Sequence, residues 1–220
     1  MSTPPKYPST PHWPWSQTVH RDDTVLDDPS AFVGVPVVVT EKIDGGNTCL
    51  WNGDVYARSV AAPSEGGWMA MVKKHHGWKT NAPQFTDIAF YGEDIYGIHS
   101  IEYEPVREDQ TYRLFAVRIK DVFVSWPSLE NHALHSLNVP AAPVVFAGEF
   151  DSTEAITRFF ENELREPSSL GGEREGFVMR REHSFLAEDF RTNVCKYVRP
   201  NHVQTDQHWR VNWRPCKLSK

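Results

Sequence analysis

Short apolar runs separated by polar turns recur along the chain, a pattern that predicts a fold rich in β-strands. Asn52-Gly53 lies between two of these runs, and Asn-Gly favours the tight turn of a hairpin. The predicted strands are Val35–Ile43, Thr48–Trp51, Val55–Ser59, Ile88–Ile95, Tyr112–Ile119, Val144–Phe150, Gly176–Arg180 and Asn193–Val198.

Three further segments have helical spacing of apolar residues. The first begins near Ser64, and the second near Ser125-Trp126-Pro127, where proline suits a first turn. The third begins at Asp151 or Ser152, since Asp151 and Glu154 have capping-box spacing. Its predicted apolar face consists of Ile156, Phe159, Phe160 and Leu164. Many strands with few helices favour an α+β fold of mainly antiparallel sheets flanked by helices.

Length and composition divide the chain into three predicted parts. With 220 residues, 40% of them hydrophobic, the chain suits one domain, which we place at residues 31–200. A Pro-rich extended lead-in precedes it over residues 1–30, and a short basic extension follows over residues 201–220. No apolar stretch approaches the roughly 20 residues of a membrane span. The N-terminus lacks the apolar core of a signal peptide, so we expect a cytoplasmic protein with no membrane partner.

The cysteines indicate no special chemistry. Cys49, Cys195 and Cys216 have no CxxC spacing, which argues against a disulfide framework or a zinc site. Cys49 and Cys195 fall inside predicted strands, where we expect them to be small buried residues.

The net charge of −6 hides an asymmetry along the chain. Residues 191–220 contain seven basic residues and one acidic residue, so this segment carries +6 and the rest carries −12. Aromatic residues lie among the basic ones, a mixture that suits phosphate contact and base stacking. An ordinary basic tail explains the pattern equally well. His75-His76, close to three lysines, could touch a nucleic-acid end, but we favour a solvated helix face.

The most informative segment reads Glu-Lys-Ile-Asp-Gly-Gly-Asn from Glu41 to Asn47, directly after a run of valines. Side chains alternate faces along a strand, so Lys42 and Asp44 are expected to share a side. Gly45 and Gly46 allow the backbone to turn or to approach a ligand closely. The pattern puts a reactive amine at the mouth of a phosphate-sized site.

This lysine motif and four later segments resemble the motifs of covalent nucleotidyltransferases, over about residues 35–200. Within that superfamily the chain is similar to the ATP-dependent RNA ligase family, near its RNA ligase 2-like branch. Asn47 fits a position that this branch uses in sealing, and residues 7–12 and 201–205 also look like stretches of small RNA ligases. The four later segments are Arg58-Ser59, Tyr91-Gly92-Glu93, Glu175–Arg180 and Val194–Arg199.

The resemblance implies that Lys42 attacks the α-phosphate of ATP and carries AMP as a phosphoramide. A free lysine, with a pKa of about 10.4, is almost entirely protonated near neutral pH. We therefore expect burial, Lys196 or a bound magnesium ion to lower the pKa of Lys42. The carboxylate of Asp44 would instead raise the pKa of Lys42, so we expect a metal, water or substrate hydroxyl to bind this carboxylate. The family pattern gives Asp44 a part in the later steps.

The same resemblance implies the other roles at the site. Glu93 and Glu175 are expected to bind Mg²⁺ or Mn²⁺, with Glu93 also on the ribose, and Lys196 is expected to bind the α-phosphate. The implied catalytic residues are Lys42, Asp44, Asn47, Glu175 and Lys196. The implied nucleotide-binding residues are Glu41, Lys42, Arg58, Glu93, Phe115 and Lys196. The implied nucleic-acid-binding residues are Arg58, Arg199, Arg210 and Arg214.

Two positions depart from the family pattern. Val117 and Arg118 stand where the family has an aromatic residue and an aspartate, and the aromatic residue stacks on the purine. Phe115, two residues earlier and therefore expected on the same face as Val117, is either the substitute or a core residue. Val194 stands where the family often has the first of two lysines. Lys196 is then the single lysine of this motif that could bind the phosphate.

The resemblance therefore implies an ATP-dependent RNA ligase that joins 5′-phosphate and 3′-hydroxyl RNA ends. Only 24 residues follow Lys196, too few for an oligonucleotide-binding (OB-fold) domain, so we expect none. The partners implied are RNA ends and an accessory end-processing protein, and a monomer is favoured. Three alternatives stay open: an ATP-dependent DNA ligase, a capping guanylyltransferase, and an inactive module that binds nucleic-acid ends.

Overall fold

The structure is a computed structural model that describes residues 3–16, 23–200 and 213–220. It confirms the α+β prediction, since its strands form two antiparallel sheets. The strands are β1 Val37–Lys42, β2 Gly46–Trp51, β3 Asp54–Ala57, β4 Ile88–Asp94, β5 Tyr112–Ile119, β6 Val122–Phe123, β7 Val144–Gly148, β8 Gly176–Arg181, β9 Phe185–Leu186 and β10 Val194–Val198.

Short helices connect and flank the sheets. The α-helices are α1 Ala70–His75, α2 Trp126–Asn131, α3 Thr153–Glu163 and α4 Phe190–Asn193, and a π-helix follows α2 over His132–Leu137. The 3₁₀ turns are Pro29–Phe32, Gly67–Met69, Gly77–Asn81, Pro83–Phe85, Glu108–Gln110 and Ala187–Asp189.

The strand order shows how the chain returns to its starting point. The first sheet has the order β10-β8-β1-β7, and the second has the order β3-β2-β4-β5-β6-β9. Strand β1, which ends at Lys42, therefore lies beside β8, which follows Glu175. On its other side, β8 pairs with β10, which contains Lys196. The first sheet thus brings together three segments that are far apart in sequence.

Strand β1 is buried on both faces, which explains its continuous apolar sequence. Val37 and Val39 pack in a core that also contains Ile156 and Phe160 of α3. Val38 points the other way, into the larger core that extends to the second sheet. The alternation assigns one face of the strand to helix packing and the other to the space between the sheets.

Helix α3 has the predicted apolar face, with Ile156 and Phe160 fully buried and Phe159 and Leu164 packed against the same core. Its cap is Ser152, whose hydroxyl oxygen accepts a hydrogen bond from the amide of Ala155 at 3.1 Å. Ser152 rather than Asp151 is therefore the N-cap of α3, whose first residue is Thr153. The cap satisfies one of the amides that a helix start leaves without an intrahelical partner.

The remaining element predictions differ from the structure in small ways. Asn52 and Gly53 both have positive φ, as the predicted hairpin turn requires. The first helix begins later than Ser64, after the glycines at 66 and 67, which are poor helix formers. The two-residue strands β6 and β9 were not predicted, because two residues show no periodicity.

Both terminal segments pack against the domain. Residues 3–13 contain no helix, a turn follows at Pro14-Trp15, and His12 pairs in parallel with Lys196. Near the other end, Pro215 pairs with Gly97 and Leu218 with Val106. Arg210 and the stretch 201–205 lie outside the described residues. Within the described ranges, no helix has the length and apolarity needed to cross a bilayer, and no oligonucleotide-binding barrel is present.

His76 is buried, so the expectation of a solvated histidine pair is wrong for this residue. Its Nε2 lies 3.0 Å from the carbonyl oxygen of Asp109, and its Nδ1 lies 3.1 Å from Nζ of Lys79. The lysine ammonium group can only donate, so Nδ1 accepts and Nε2 carries the proton. Burial, followed by the charge of Lys79, lowers the pKa of His76 to about 4. The folded protein therefore holds this imidazole neutral.

His76 makes the stability of the protein depend on pH. Because its folded-state pKa lies below the unfolded value of 6.5, the unfolded chain binds the extra proton as the pH falls from 6.5 to about 4. We expect wild type to lose up to about 3 kcal/mol relative to His76→Gln across this window. Denaturant unfolding at several pH values measures the difference, and His183→Gln, at an exposed histidine, is the control. Parallel pH profiles for wild type and His76→Gln would contradict this assignment.

Candidate active site

A cavity of about 450 Å³ lies between the two sheets, within the usual size range of small-molecule sites. Alternate residues of three strands of the first sheet form one wall, as expected from the pleat. These residues are Thr40 and Lys42 of β1, Val178 and Arg180 of β8, and Val194 and Lys196 of β10. The sheet register places Lys42 opposite Gly176 and Lys196 opposite Val178.

The second sheet and the lead-in form the opposite wall. Asn47 of β2 and Glu93 of β4 are direct cross-strand partners, and both line the cavity. Tyr7 packs among several rings, with centroid distances of 5.1 Å to Phe115 and 5.1 Å to Phe190. The cavity therefore combines an aromatic surface with charged groups. This combination suits a ligand that has a flat ring and an anionic part.

Lys42 is ion-paired with Glu175. Its Nζ donates to Oε1 of Glu175 at 2.5 Å, and 28% of the lysine side chain is exposed. Burial alone would lower the pKa of Lys42, but Glu175 and Glu93 outweigh it, so the pKa is raised. The expectation of a lowered pKa is therefore wrong for this structure. The carboxylates that surround the amine hold it protonated.

Asp44 lies beyond the end of β1, and a loop of the protein holds its carboxylate. Oδ2 accepts hydrogen bonds from the amides of Ser100, at 2.7 Å, and Ile101, at 2.6 Å. The amide of Asp44 donates to the hydroxyl of Tyr103 at 2.8 Å. We expected a metal, water or substrate hydroxyl at this carboxylate, and backbone amides take that place on Oδ2. The strand ends at Lys42, so alternation does not extend to Asp44.

Gly45 is required by a close approach within the protein. A Cβ atom at this position would lie 2.7 Å from the carbonyl oxygen of Asp94 and 3.0 Å from Cγ of Glu93. The glycine thus lets the lysine motif lie directly against β4, where Glu93 is located. This reason differs from the ligand approach that the sequence indicated.

Glu93 and Glu175 fit a hydrated divalent cation. Burial, with help from Glu175 and the neighbouring aspartates, raises the pKa of Glu93 to about 8 although Lys42 opposes the shift. A nearby cation would relieve this crowding of carboxylates. In the described ranges, no group of three or more His, Cys, Asp or Glu residues is arranged to hold a metal ion. Two carboxylates nevertheless suffice for Mg²⁺, which keeps several water ligands and binds substrate phosphates.

Lys196 and Arg58 supply further positive charge. Burial lowers the pKa of Lys196, Asp23 opposes this effect, and Lys42 adds to it. Arg58 is exposed at the edge of the cavity. The cavity is thus lined by four cations, Lys42, Lys196, Arg58 and Arg180.

Phe115 lines the cavity, but it does not share a face with Val117 as we expected. The register of β5 against β4 shifts here, since Ala116 pairs with Tyr91 and Leu114 pairs with Gly92. Phe115 is the extra residue of this β-bulge, which breaks the alternation. Val117 is fully buried in the core on the other side. Phe115 therefore reaches the cavity, whereas Val117, at the position of the family's aromatic residue, does not.

The side chain of Glu41 is directed to a neighbouring loop. Its Oε2 accepts from the hydroxyl of Ser168 at 2.6 Å, and its Oε1 accepts from the amide of Ser169 at 2.9 Å. Nε of Arg174 lies 3.5 Å from Oε1. Although Glu41 lies beside the cavity, these contacts tie its carboxylate to the segment that leads into β8.

The predicted nucleic-acid-binding arginines are not gathered at one place. Arg199 pairs with Glu173 at 2.6 Å, and Arg214 pairs with Glu102 at 2.8 Å. Of the predicted nucleic-acid-binding arginines whose structure is described, Arg58 alone lines the cavity. The cavity lining also includes Arg180 and His99, for which we predicted no role, and Asp23 contacts Lys196. Their signal in the sequence is weak, because their contacts depend on distant segments.

A model of the RNA ligase family matches residues 35–198. No curated protein sequence matches the chain significantly. Among solved structures, an archaeal ATP-dependent RNA ligase superposes with a TM-score of 0.61 at 13% identity, over 88% of this chain and 48% of that one. The chain therefore spans about half the length of that protein.

Two other solved structures are similar. A Naegleria gruberi RNA ligase mutant with ATP and manganese has a TM-score of 0.56 and 15% identity, over 90% of this chain and 62% of that one. A putative ATP-dependent DNA ligase from Aquifex aeolicus has a TM-score of 0.52 and 16% identity, over 88% of this chain and 49% of that one. At these identities, the likeness shows a shared fold.

The Asp44 contacts predict a measurable loss of stability. Asp44→Ala removes the acceptor for two amides of the 100–101 loop, so we expect a loss of about 2 to 4 kcal/mol in the free energy of unfolding. Asp44→Asn keeps one side-chain oxygen as an acceptor and should lose roughly half as much. Chemical denaturation of both variants tests this. Wild-type stability in Asp44→Ala would show that the loop amides do not depend on this carboxylate.

Proposed function

The chain belongs to the RNA ligase family, and from this we propose that it is an ATP-dependent RNA ligase that works through a covalent lysyl-AMP intermediate. The observation that supports the proposal most is that Lys42, Lys196 and Glu93 line one cavity between the sheets. Its aromatic surface suits the adenine, and its cations suit the phosphates. The Naegleria RNA ligase structure with ATP and manganese supports the choice of ligands.

In the first step, Nζ of Lys42 forms a bond to the α-phosphorus of ATP, and the bond from that phosphorus to the bridging oxygen breaks, which releases pyrophosphate. Nζ must first lose a proton. Oε1 of Glu175, at 2.5 Å, is in position to accept it. Lys196 stabilises the negative charge on the α-phosphate. Glu93 and Glu175 are the residues that would hold Mg²⁺, which would supply further charge neutralisation.

The later steps transfer AMP and then displace it. A 5′-phosphate oxygen of RNA attacks the phosphorus of lysyl-AMP, the P–N bond breaks, and Lys42 is regenerated. The 3′-hydroxyl oxygen of the other end then attacks the 5′-phosphorus, loses its proton and expels AMP. Arg58, exposed at the cavity edge, is suited to the 5′-phosphate because a guanidinium group binds phosphate oxygens in a bidentate manner.

Covalent labelling tests the first step. ATP labelled at the α-phosphate, with magnesium, should label the protein in a denaturing gel, and Lys42→Ala should abolish the label. Lys42→Arg keeps the positive charge beside Glu175 but is not a nucleophile, so it should also fail. Lys74→Ala removes an exposed lysine outside the cavity and should label normally. Label retained in both Lys42 variants would overturn the assignment of the nucleophile.

The nucleotide that labels the protein and the nucleic acid that it seals distinguish this proposal from the related activities. Labelling by GTP alone would indicate a capping guanylyltransferase, and sealing of nicked DNA alone would indicate a DNA ligase. Binding of RNA ends without label from ATP, GTP or NAD would indicate an inactive end-binding module.

Asn47 should separate sealing from labelling. It faces Glu93 across β2 and β4, and its amide can donate to a phosphate at the cavity wall without touching the nucleophile. We expect Asn47→Ala to label with ATP as wild type does, but to seal pre-adenylylated RNA roughly a hundredfold more slowly. A gel assay of pre-adenylylated nicked RNA measures this step. Wild-type sealing by the variant would remove Asn47 from the mechanism.

A further inference from the structure

The lead-in forms an additional edge of the first sheet beside Lys196. Strand β10 is the last strand of that sheet, so one side of it is open to a partner. The amide of Lys196 donates to the carbonyl oxygen of Pro11 at 2.9 Å, and the amide of Trp13 donates to the carbonyl oxygen of Lys196 at 2.7 Å. The backbone of Lys196 is therefore bound on this side by residues from the other end of the chain.

Deep packing fixes this segment in place. Trp13 is fully buried in the core of the first sheet, and its Nε1 donates to the hydroxyl of Thr157 on α3 at 2.9 Å. The hydroxyl of Ser16 accepts from the amide of Val198 at 3.0 Å. The segment is thus anchored by the residues that directly follow His12.

A continuous series of polar contacts leads from this anchor to the ammonium group of Lys196. Oγ of Ser16 lies 3.1 Å from Nδ1 of His12, and Nε2 of His12 lies 3.1 Å from Oδ2 of Asp23. Oδ1 of Asp23 lies 3.5 Å from Nζ of Lys196. Each side chain therefore faces the next, and the series ends on a cation that lines the cavity.

The protonation state of His12 gives the series a direction. Burial, followed by the charge of Lys196, lowers the pKa of His12 to about 4, so the ring is neutral near neutral pH. With one ring proton, Nε2 can donate to Asp23 while Nδ1 accepts from Ser16. The neutral ring adds no positive charge beside Asp23, so the cation that contacts this carboxylate is Lys196.

We propose that Asp23, held by His12, is a positioning residue for Lys196 and fixes its ammonium group toward the phosphates of the bound nucleotide. This inference rests on the proposed function of Lys196. It makes the lead-in a part of the active site, since Asp23 precedes the lysine motif in sequence and contacts the opposite end of the domain. The charged and titratable groups that act on Lys196 are Asp23, Lys42, Arg58 and His12. Asp23 is the carboxylate among these four groups.

Removing the charge of Asp23 should act on Lys196 in two ways. The ammonium group loses the contact that orients it. The effects of burial, Lys42 and Arg58 on its pKa are then no longer opposed. We therefore expect slower adenylylation of Lys42, and a fall in rate at alkaline pH that begins at a lower pH than in wild type.

The experiment compares single-turnover labelling by α-labelled ATP across pH for wild type, Asp23→Asn and Asp23→Glu. We expect Asp23→Asn to be roughly ten- to hundredfold slower, with an alkaline limit shifted to lower pH, and Asp23→Glu to recover part of the rate. Asp27→Asn makes the same charge change at an exposed aspartate of the same segment and should behave as wild type. Wild-type rate and pH profile in Asp23→Asn would overturn the proposal.

A double-mutant comparison excludes a merely structural effect. If Asp23 acts through Lys196, then Asp23→Asn should cause no further loss of rate in a Lys196→Ala background. Additive losses would show that Asp23 acts through the fold and would overturn the proposal.

If wild type shows no label, the proposed function fails, and the positioning role is decided separately by NMR titration of labelled lysine side chains. A lower pKa for Lys196 in Asp23→Asn than in wild type supports the contact, and an unchanged pKa overturns it.

Discussion

The site depends on the pleat of three adjacent strands, β1, β8 and β10. On one face, alternate residues build an apolar core against α3, and on the other face the intervening residues line the cavity. Lys42 and Lys196 can be cationic and partly covered at the same time because their strand neighbours are buried in that core. A one-residue slip of any of these strands would turn its charged residue into the core, so the register and the chemistry are fixed together.

The charges of the site are balanced, and this balance favours a phosphorylated ligand. Four cations line the cavity, but Lys42 is paired with Glu175, and Lys196 contacts Asp23. On the opposite wall, burial raises the pKa of Glu93, and the nearby carboxylates of Glu175, Asp44 and Asp94 add to this effect. In the proposed reaction, a nucleoside triphosphate would add negative charge where the lysines lie. Its binding would therefore loosen the hold of Glu175 on Lys42, as the proposed attack by the amine requires.

Local pattern was enough to predict the sheet elements, because alternation and turn chemistry are properties of neighbouring residues. Strand β5 was predicted with its observed ends, and the Asn52-Gly53 hairpin has the required positive φ values. The sequence also identified Lys42, Glu93 and Lys196, which line the same cavity. The errors occur where the backbone leaves its regular geometry. The bulge at Phe115 breaks the period of two, and the end of β1 at Lys42 releases Asp44 to the 100–101 loop.

The contacts of Asp23 could not be predicted, for a different reason. Nothing near Asp23 in sequence distinguishes it from Asp27 or Asp28. The contacts of Asp23 depend on the position of a strand edge that is distant in sequence. A strand edge with unpaired amides and carbonyls attracts any extended segment that can reach it. Buried Trp13 sets the register of residues 11–13 against β10. The packing of one tryptophan thus fixes His12 beside the backbone of Lys196, so this end of the cavity depends on a segment outside the region that the RNA ligase family model matches.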